Sequence, residues 1–245
     1  MRSKKHVIWL LVVILVFVYI VYADEEILKS TTQKQHSKEV IDVVNNNFPS
    51  DIDEKLKEKE KKNLPDDKRT KNIKHESITV EVPTSKDFKE KERIVVFYTN
   101  GWYGKLVIFE RKDSSFVKQW ESSDDFEALC FPSLEVRDLN NDGGKEILLQ
   151  AATGMKVCTS LYIFTRDNDN YKGVYIADKD GAVIRKAFSG YDVEIKDMDG
   201  DKIYEIIETQ EISDPQGGNI PLGYEKITYK WKDWKYIEYS RGKEK

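Results

Sequence analysis

The amino-acid sequence predicts an all-β fold of antiparallel, blade-like sheets, and two observations carry that prediction. An acidic cluster occurs twice with one internal spacing, each time between short apolar runs, and hairpin-like segments alternate with the clusters. The first cluster is Asp138-Leu139-Asn140-Asn141-Asp142-Gly143-Gly144-Lys145-Glu146; the second is Asp197-Met198-Asp199-Gly200-Asp201-Lys202-Ile203-Tyr204-Glu205. Both place carboxylate or amide oxygens at positions 1, 3, 5 and 9. Such spacing lets a short loop gather oxygen ligands around a hard cation such as Ca²⁺. Asp and Asn are also common turn residues, so one such loop alone would read as a solvated hairpin end. Two copies in a common strand frame favour cation ligation.

The frame is β in character. Leu134-Glu135-Val136-Arg137 precedes the first loop and Ile147-Leu148-Leu149 follows it; Val193-Glu194-Ile195-Lys196 precedes the second and Ile206-Ile207 follows it. Short alternating or β-branched runs beside a Gly/Asp/Asn cluster read as strands. An EF-hand needs helices on both sides and a Glu at position 12. Position 12 is Leu149 in the first copy and Glu208 in the second, without a helical period around either. Hairpins are expected over Leu106–Trp120, from Leu161 through Tyr171, and over Ile227–Ile237. From Asp138 to Asp197 the chain advances 59 residues, a period that fits propeller blades or a similar array.

The stretch from Val136 to Ile147 resembles the FG-GAP or VCBS-type repeat of integrin-α-like β-propellers and many secreted microbial proteins. The resemblance covers roughly residues 92–240. It implies Ca²⁺ between two strands of a blade, held by Asp138, Asn140, Asp142 and Glu146 in the first loop. The matching set in the second is Asp197, Asp199, Asp201 and Glu205. The chain departs from the pattern in having Lys202 where the family usually has Gly, and Glu rather than Asp at position 9. The expected architecture is about two such units with half-units at each end, an incomplete propeller. Arg93–Tyr98 and the strand from Lys105 form the N-terminal half-unit. The second loop, with one more acid than the first, is expected to bind more tightly unless Lys202 strains it.

Three segments divide the chain. Residues 7–23 are apolar and uncharged and follow Arg2, Lys4 and Lys5, so residues 1–23 read as a signal peptide, cleaved after Ala23, or as an uncleaved signal anchor. Either places the remainder outside the cytoplasm, secreted or as a single-pass membrane protein. Residues 24–76, rich in Lys, Glu, Asp and Asn, read as a charged flexible tether, helical at most over Glu54–Lys62 through i,i+4 pairs. Residues 77–240 read as the β-repeat domain, long enough for one core. The tether is not expected to pack on it.

Composition narrows the function. The leader's three cations leave the rest of the chain at −7, and no basic cluster marks the β domain, so nucleic acid is not an expected partner. His6, His36 and His75 all fall in the leader or tether. A domain without the commonest general base is not expected to be an enzyme; a metal-dependent hydrolase using one acidic loop is the least implausible exception. Cys130 and Cys158, the only cysteines, flank the first loop, and a disulfide between them suits an oxidising compartment. Trp102 and Tyr103, in a Gly-flanked loop, are the best candidates for exposed aromatic contact, folding back over the core being commoner. The expected function is non-catalytic: an extracytoplasmic domain with Ca²⁺-binding loops that binds a cell-surface protein or glycan. The alternative is a structural subunit whose open sheet edges are completed by a partner.

Overall fold

The computed structural model describes residues 38–63, 75–82, 92–123, 126–127, 129–153, 158–167, 170–213 and 221–243. The N-terminal apolar run lies outside the described residues, and among those residues no helix is long and apolar enough to cross a membrane. The chain divides into two units, residues 1–45 and 46–245. Of the first, the described part is almost all of helix α1 (Lys38–Asn46), whose Val40 and Val44 are buried one turn apart.

The described residues of the second unit are all-β apart from helix α2 (Ser50–Asn63). Its strands are β1 (Glu76–Val82), β2 (Arg93–Thr99), β3 (Tyr103–Lys112), β4 (Ser115–Glu121), β5 (Phe126–Glu127), β6 (Leu129–Arg137), β7 (Glu146–Thr153) and β8 (Cys158–Asp167). They continue with β9 (Asn170–Gly173), β10 (Tyr175–Ala177), β11 (Val183–Arg185), β12 (Phe188–Gly190), β13 (Asp192–Lys196), β14 (Glu205–Ile212), β15 (Gly223–Lys232) and β16 (Lys235–Lys243). Three antiparallel four-stranded meanders, β1–β4, β6–β9 and β13–β16, each form the body of one sheet. β5 joins the first sheet and β12 the second, while β10, parallel to β16, carries β11 on the third. All three expected hairpins are present, as β3–β4, β8–β9 and β15–β16. Asp233 and Trp234 turn the last with φ of 52° and 64°, the positive dihedrals of a two-residue primed turn.

The middle sheet is buried on both faces. Along β7, Ile147, Leu149 and Ala151 pack into a core with Val95, Phe97, Leu106 and Ile108 of the first sheet. Leu148, between them, packs into a second core with Ile206, Ile227 and Tyr229 of the third. Alternate side chains of a strand point to opposite faces, so a strand buried twice must be apolar throughout. That explains the unbroken Ile147-Leu148-Leu149 run.

The N-terminal half-unit is larger than expected. Ser77-Ile78-Thr79-Val80-Glu81-Val82 alternates and pairs along the whole of β2, which makes it a complete meander. The stretch read as a tether also differs over its described part, because helix α2 is anchored. Ile52 is 1% exposed, and Asn100 Nδ2 donates to its carbonyl at 3.1 Å. Asp51 pairs with Lys105 on β3. His75, assigned from sequence to the tether, stacks on Phe48 with ring centroids 4.1 Å apart and lies 2.9 Å from Asp53. Composition hid this, because the helix is mostly charged and its buried Ile52 suffices as an anchor.

The expected disulfide is not formed among the described residues. Cys130 pairs across β6–β7 with Ala152, and Cys158 pairs across β7–β8 with Thr153. The two cysteines therefore flank β7 on opposite sides, about 10 Å apart at two strand spacings. A disulfide needs Cα atoms within about 7 Å.

Candidate metal centre

Each acidic loop joins the first two strands of a meander, β6–β7 and β13–β14, and the two share three side-chain-to-amide hydrogen bonds. The position-1 carboxylate accepts from the position-6 amide: Asp138 from Gly143 at 3.1 Å, Asp197 from Lys202 at 3.2 Å. The position-5 carboxylate accepts from the position-7 amide at 2.7 Å in both, Asp142 from Gly144 and Asp201 from Ile203. The position-9 carboxylate reaches back to the position-2 amide at 2.9 Å in both, Glu146 to Leu139 and Glu205 to Met198. Positions 4 and 6 are left-handed in both: Asn141 and Gly143 at φ 57° and 84°, Gly200 and Lys202 at 82° and 68°. Lys202 thus adopts the conformation that Gly143 supplies without strain. The loops touch, Tyr204 donating its amide to the Leu139 carbonyl at 2.8 Å.

The ligand sets differ in electrostatics. In the second loop, carboxylate oxygens of Asp197, Asp199 and Glu205 lie within 4.8 Å of one another; Asp201 stands outside that group. In the first, Asn140 turns its amide nitrogen to Asp142 at 2.9 Å and its oxygen to the Asp142 amide. Asp138 Oδ1 is buried without a hydrogen-bond partner. Glu146, 2% exposed, has its carboxyl pushed up to about 7 by burial, with Asp142 and Asp138 adding to the rise against the hydrogen bonds from Leu139 and Thr165. Asp138 Oδ1 is thus a buried acceptor without a donor, while both Glu146 oxygens accept hydrogen bonds. Among the described residues only the second loop brings three carboxylates together; at the first, Asp138, Asn140, Asp142 and Glu146 offer oxygen donors of the kind Ca²⁺ takes.

The register exposes a third member of the pattern. The first residues of β2, β7 and β14 are Arg93, Glu146 and Glu205. Opposite them on the next strand stand Glu110, Thr165 and Lys230, from the pairings Arg93↔Glu110, Ile147↔Phe164 and Ile206↔Tyr229. In the first meander Arg93 and Glu110 form a buried ion pair at 3.1 Å. In the third, Lys230 Nζ lies 2.8 Å from Asp199 and 3.2 Å from Glu205. Its ammonium is held above the usual lysine range by those hydrogen bonds, Asp199 first, and Asp199 is held below the carboxylate range by Lys230. In the second meander Thr165 donates its hydroxyl to Glu146 at 3.1 Å and brings no charge. Sequence reading missed Lys230 because it lies 31 residues from Asp199 and only strand register joins them.

Other candidates are placed plainly. Glu208, the second loop's position 12, is fully buried and committed to Arg185, to the Tyr229 hydroxyl at 3.0 Å and to the Ser189 amide at 2.7 Å. Trp102 is exposed while Tyr103 is buried; Asn100 Oδ1 accepts from both amides and fixes the turn. A cleft of about 290 Å³ is lined by Trp120, Phe126, Tyr162, Tyr171 and Tyr175, with Glu121, Lys172 and Lys186 also on its wall. Comparison with family models, curated proteins and solved structures returns no match.

Proposed function

We propose that the chain is a non-catalytic binding domain, displayed outside the cytoplasm from its N-terminal apolar segment, whose first acidic loop is closed by Ca²⁺. The observation that carries this reading is the Asp138 Oδ1 atom of that loop, buried without a hydrogen-bond partner. The strand–loop–strand setting and the matched left-handed positions support the FG-GAP/VCBS-type resemblance. The buried carboxylates Glu205 and Glu208 are each committed to backbone or side-chain hydrogen bonds, which suits structural roles. The aromatic cleft supplies flat apolar faces and charged groups of both signs, a lining suited to a glycan. A second reading, an assembly subunit, is favoured by edge strand β11, whose Val183 and Ile184 are exposed and so open to an added strand.

The test is thermal melting of the full chain in chelator and in millimolar Ca²⁺. Binding to the folded state alone stabilises it by about 2.7 kcal/mol at a hundredfold excess over Kd. The expected rise in melting temperature disappears in Asp138→Ala. Melting indifferent to Ca²⁺ would overturn the metal assignment. Retention on immobilised glycans, reduced by Tyr175→Ala, tests the cleft; no retention would favour the assembly reading.

A further inference from the structure

We propose that Lys230 is the resident cation of the second acidic loop, so that the chain has one divalent-cation site, at the first loop, rather than two. The contrast rests on the reading of the first loop given above, but the geometry at the second stands by itself. A cation drawn into this loop would be met by the converging oxygens of Asp197, Asp199 and Glu205. The Lys230 ammonium already touches two of those three residues, at 2.8 and 3.2 Å, and lies 4.9 Å from the centre of the Tyr239 ring. An ammonium with hydrogen bonds to two carboxylates supplies the counter-charge that clustered acids require. Asp197 completes the balance internally: both its oxygens are occupied, by the Gly200 and Lys202 amides. The first loop differs on each count, with an orphaned Asp138 oxygen and a neutral threonine in the lysine's register position.

The first meander shows the same solution with the charges exchanged. There the basic residue, Arg93, begins the second strand, and the acid, Glu110, lies opposite on the third. Two of three meanders therefore neutralise this position from within the chain. The third meander accepts a lysine here because Lys230 alternates with Tyr229, which packs inward, and so points away from the shared core. Its side chain remains 38% exposed, which lets the ammonium keep part of its hydration.

The experiment is calorimetric titration of the full chain with Ca²⁺, comparing the unmodified protein with Lys230→Thr, Lys230→Gln and Asp199→Asn. Lys230→Thr recreates the threonine of the first loop, and Lys230→Gln keeps a hydrogen-bond donor without charge. The unmodified chain should bind about one Ca²⁺, and either Lys230 variant about two. Asp199→Asn should leave the unmodified stoichiometry in place. Lys230 variants that gain no equivalent, or an Asp199→Asn variant that loses one, would overturn the proposal. Should the unmodified chain bind no Ca²⁺ while the Lys230 variants bind one, the reading of the first loop fails and the assignment of Lys230 stands.

Discussion

Replacing Ile52 with alanine tests whether helix α2 belongs to the β unit. Ile52 is 1% exposed on a helix that is mostly charged. Truncating a buried isoleucine to alanine costs about 2–5 kcal/mol, the lost transfer energy together with the cavity left behind. In a domain of this size each kcal/mol moves the melting temperature by about 2–4 °C, so Ile52→Ala should melt on the order of 5–15 °C below the unmodified chain. The polar contacts follow the same logic: Asn100→Ala leaves the Ile52 carbonyl without its donor and should cost about 1–3 kcal/mol. Glu58→Ala, on an exposed position of the same helix, is the control and should stay within about 0.5 kcal/mol. Circular dichroism on thermally scanned protein reads all three. An Ile52→Ala variant melting within about 1 °C of the unmodified chain would refute the docking.

Two further predictions concern ion pairs. Asp51 and Glu121 both hydrogen-bond Lys105; burial raises each carboxyl, but Lys105, aided by Lys55 for the first and Lys118 for the second, holds both below their ordinary values. A depressed carboxyl contributes stability that is present above its unfolded pKa and lost as pH falls through its folded one. These two groups should therefore lower the melting temperature as pH falls below about 4, with a smaller fall in Lys105→Met; equal falls would refute it. Glu110→Ala strands a buried Arg93 charge and should cost about 3–5 kcal/mol, while the double variant Arg93→Met/Glu110→Leu should recover most of the loss; no recovery would show that the pair matters for more than charge.

The sheets were legible because their signals are local. Period-two runs, Gly/Asp turns and the doubled spacing of Asp138 and Asp197 lie within a few residues of one another, so both acidic loops and all three hairpins could be placed. What escaped depends on pairing between distant segments. Ser77–Val82 alternates cleanly but adjoins a charged stretch, and only its pairing with β2 shows that the first meander is whole. Ile52 and Leu56 lie four residues apart, too short an apolar pattern to stand out in a mostly charged helix. The cysteines bracket the first loop in sequence, yet register sets them on either side of β7. The same register brings Lys230 to a loop that composition presented as the more acidic of the two.

Native mass spectrometry of the full chain, released from detergent in the presence of Ca²⁺, measures the central claim most directly. The expected result is about one Ca²⁺ per chain, lost on Asp138→Asn and retained on Asp197→Asn. Two Ca²⁺ per chain, or one that follows Asp197 rather than Asp138, would contradict it.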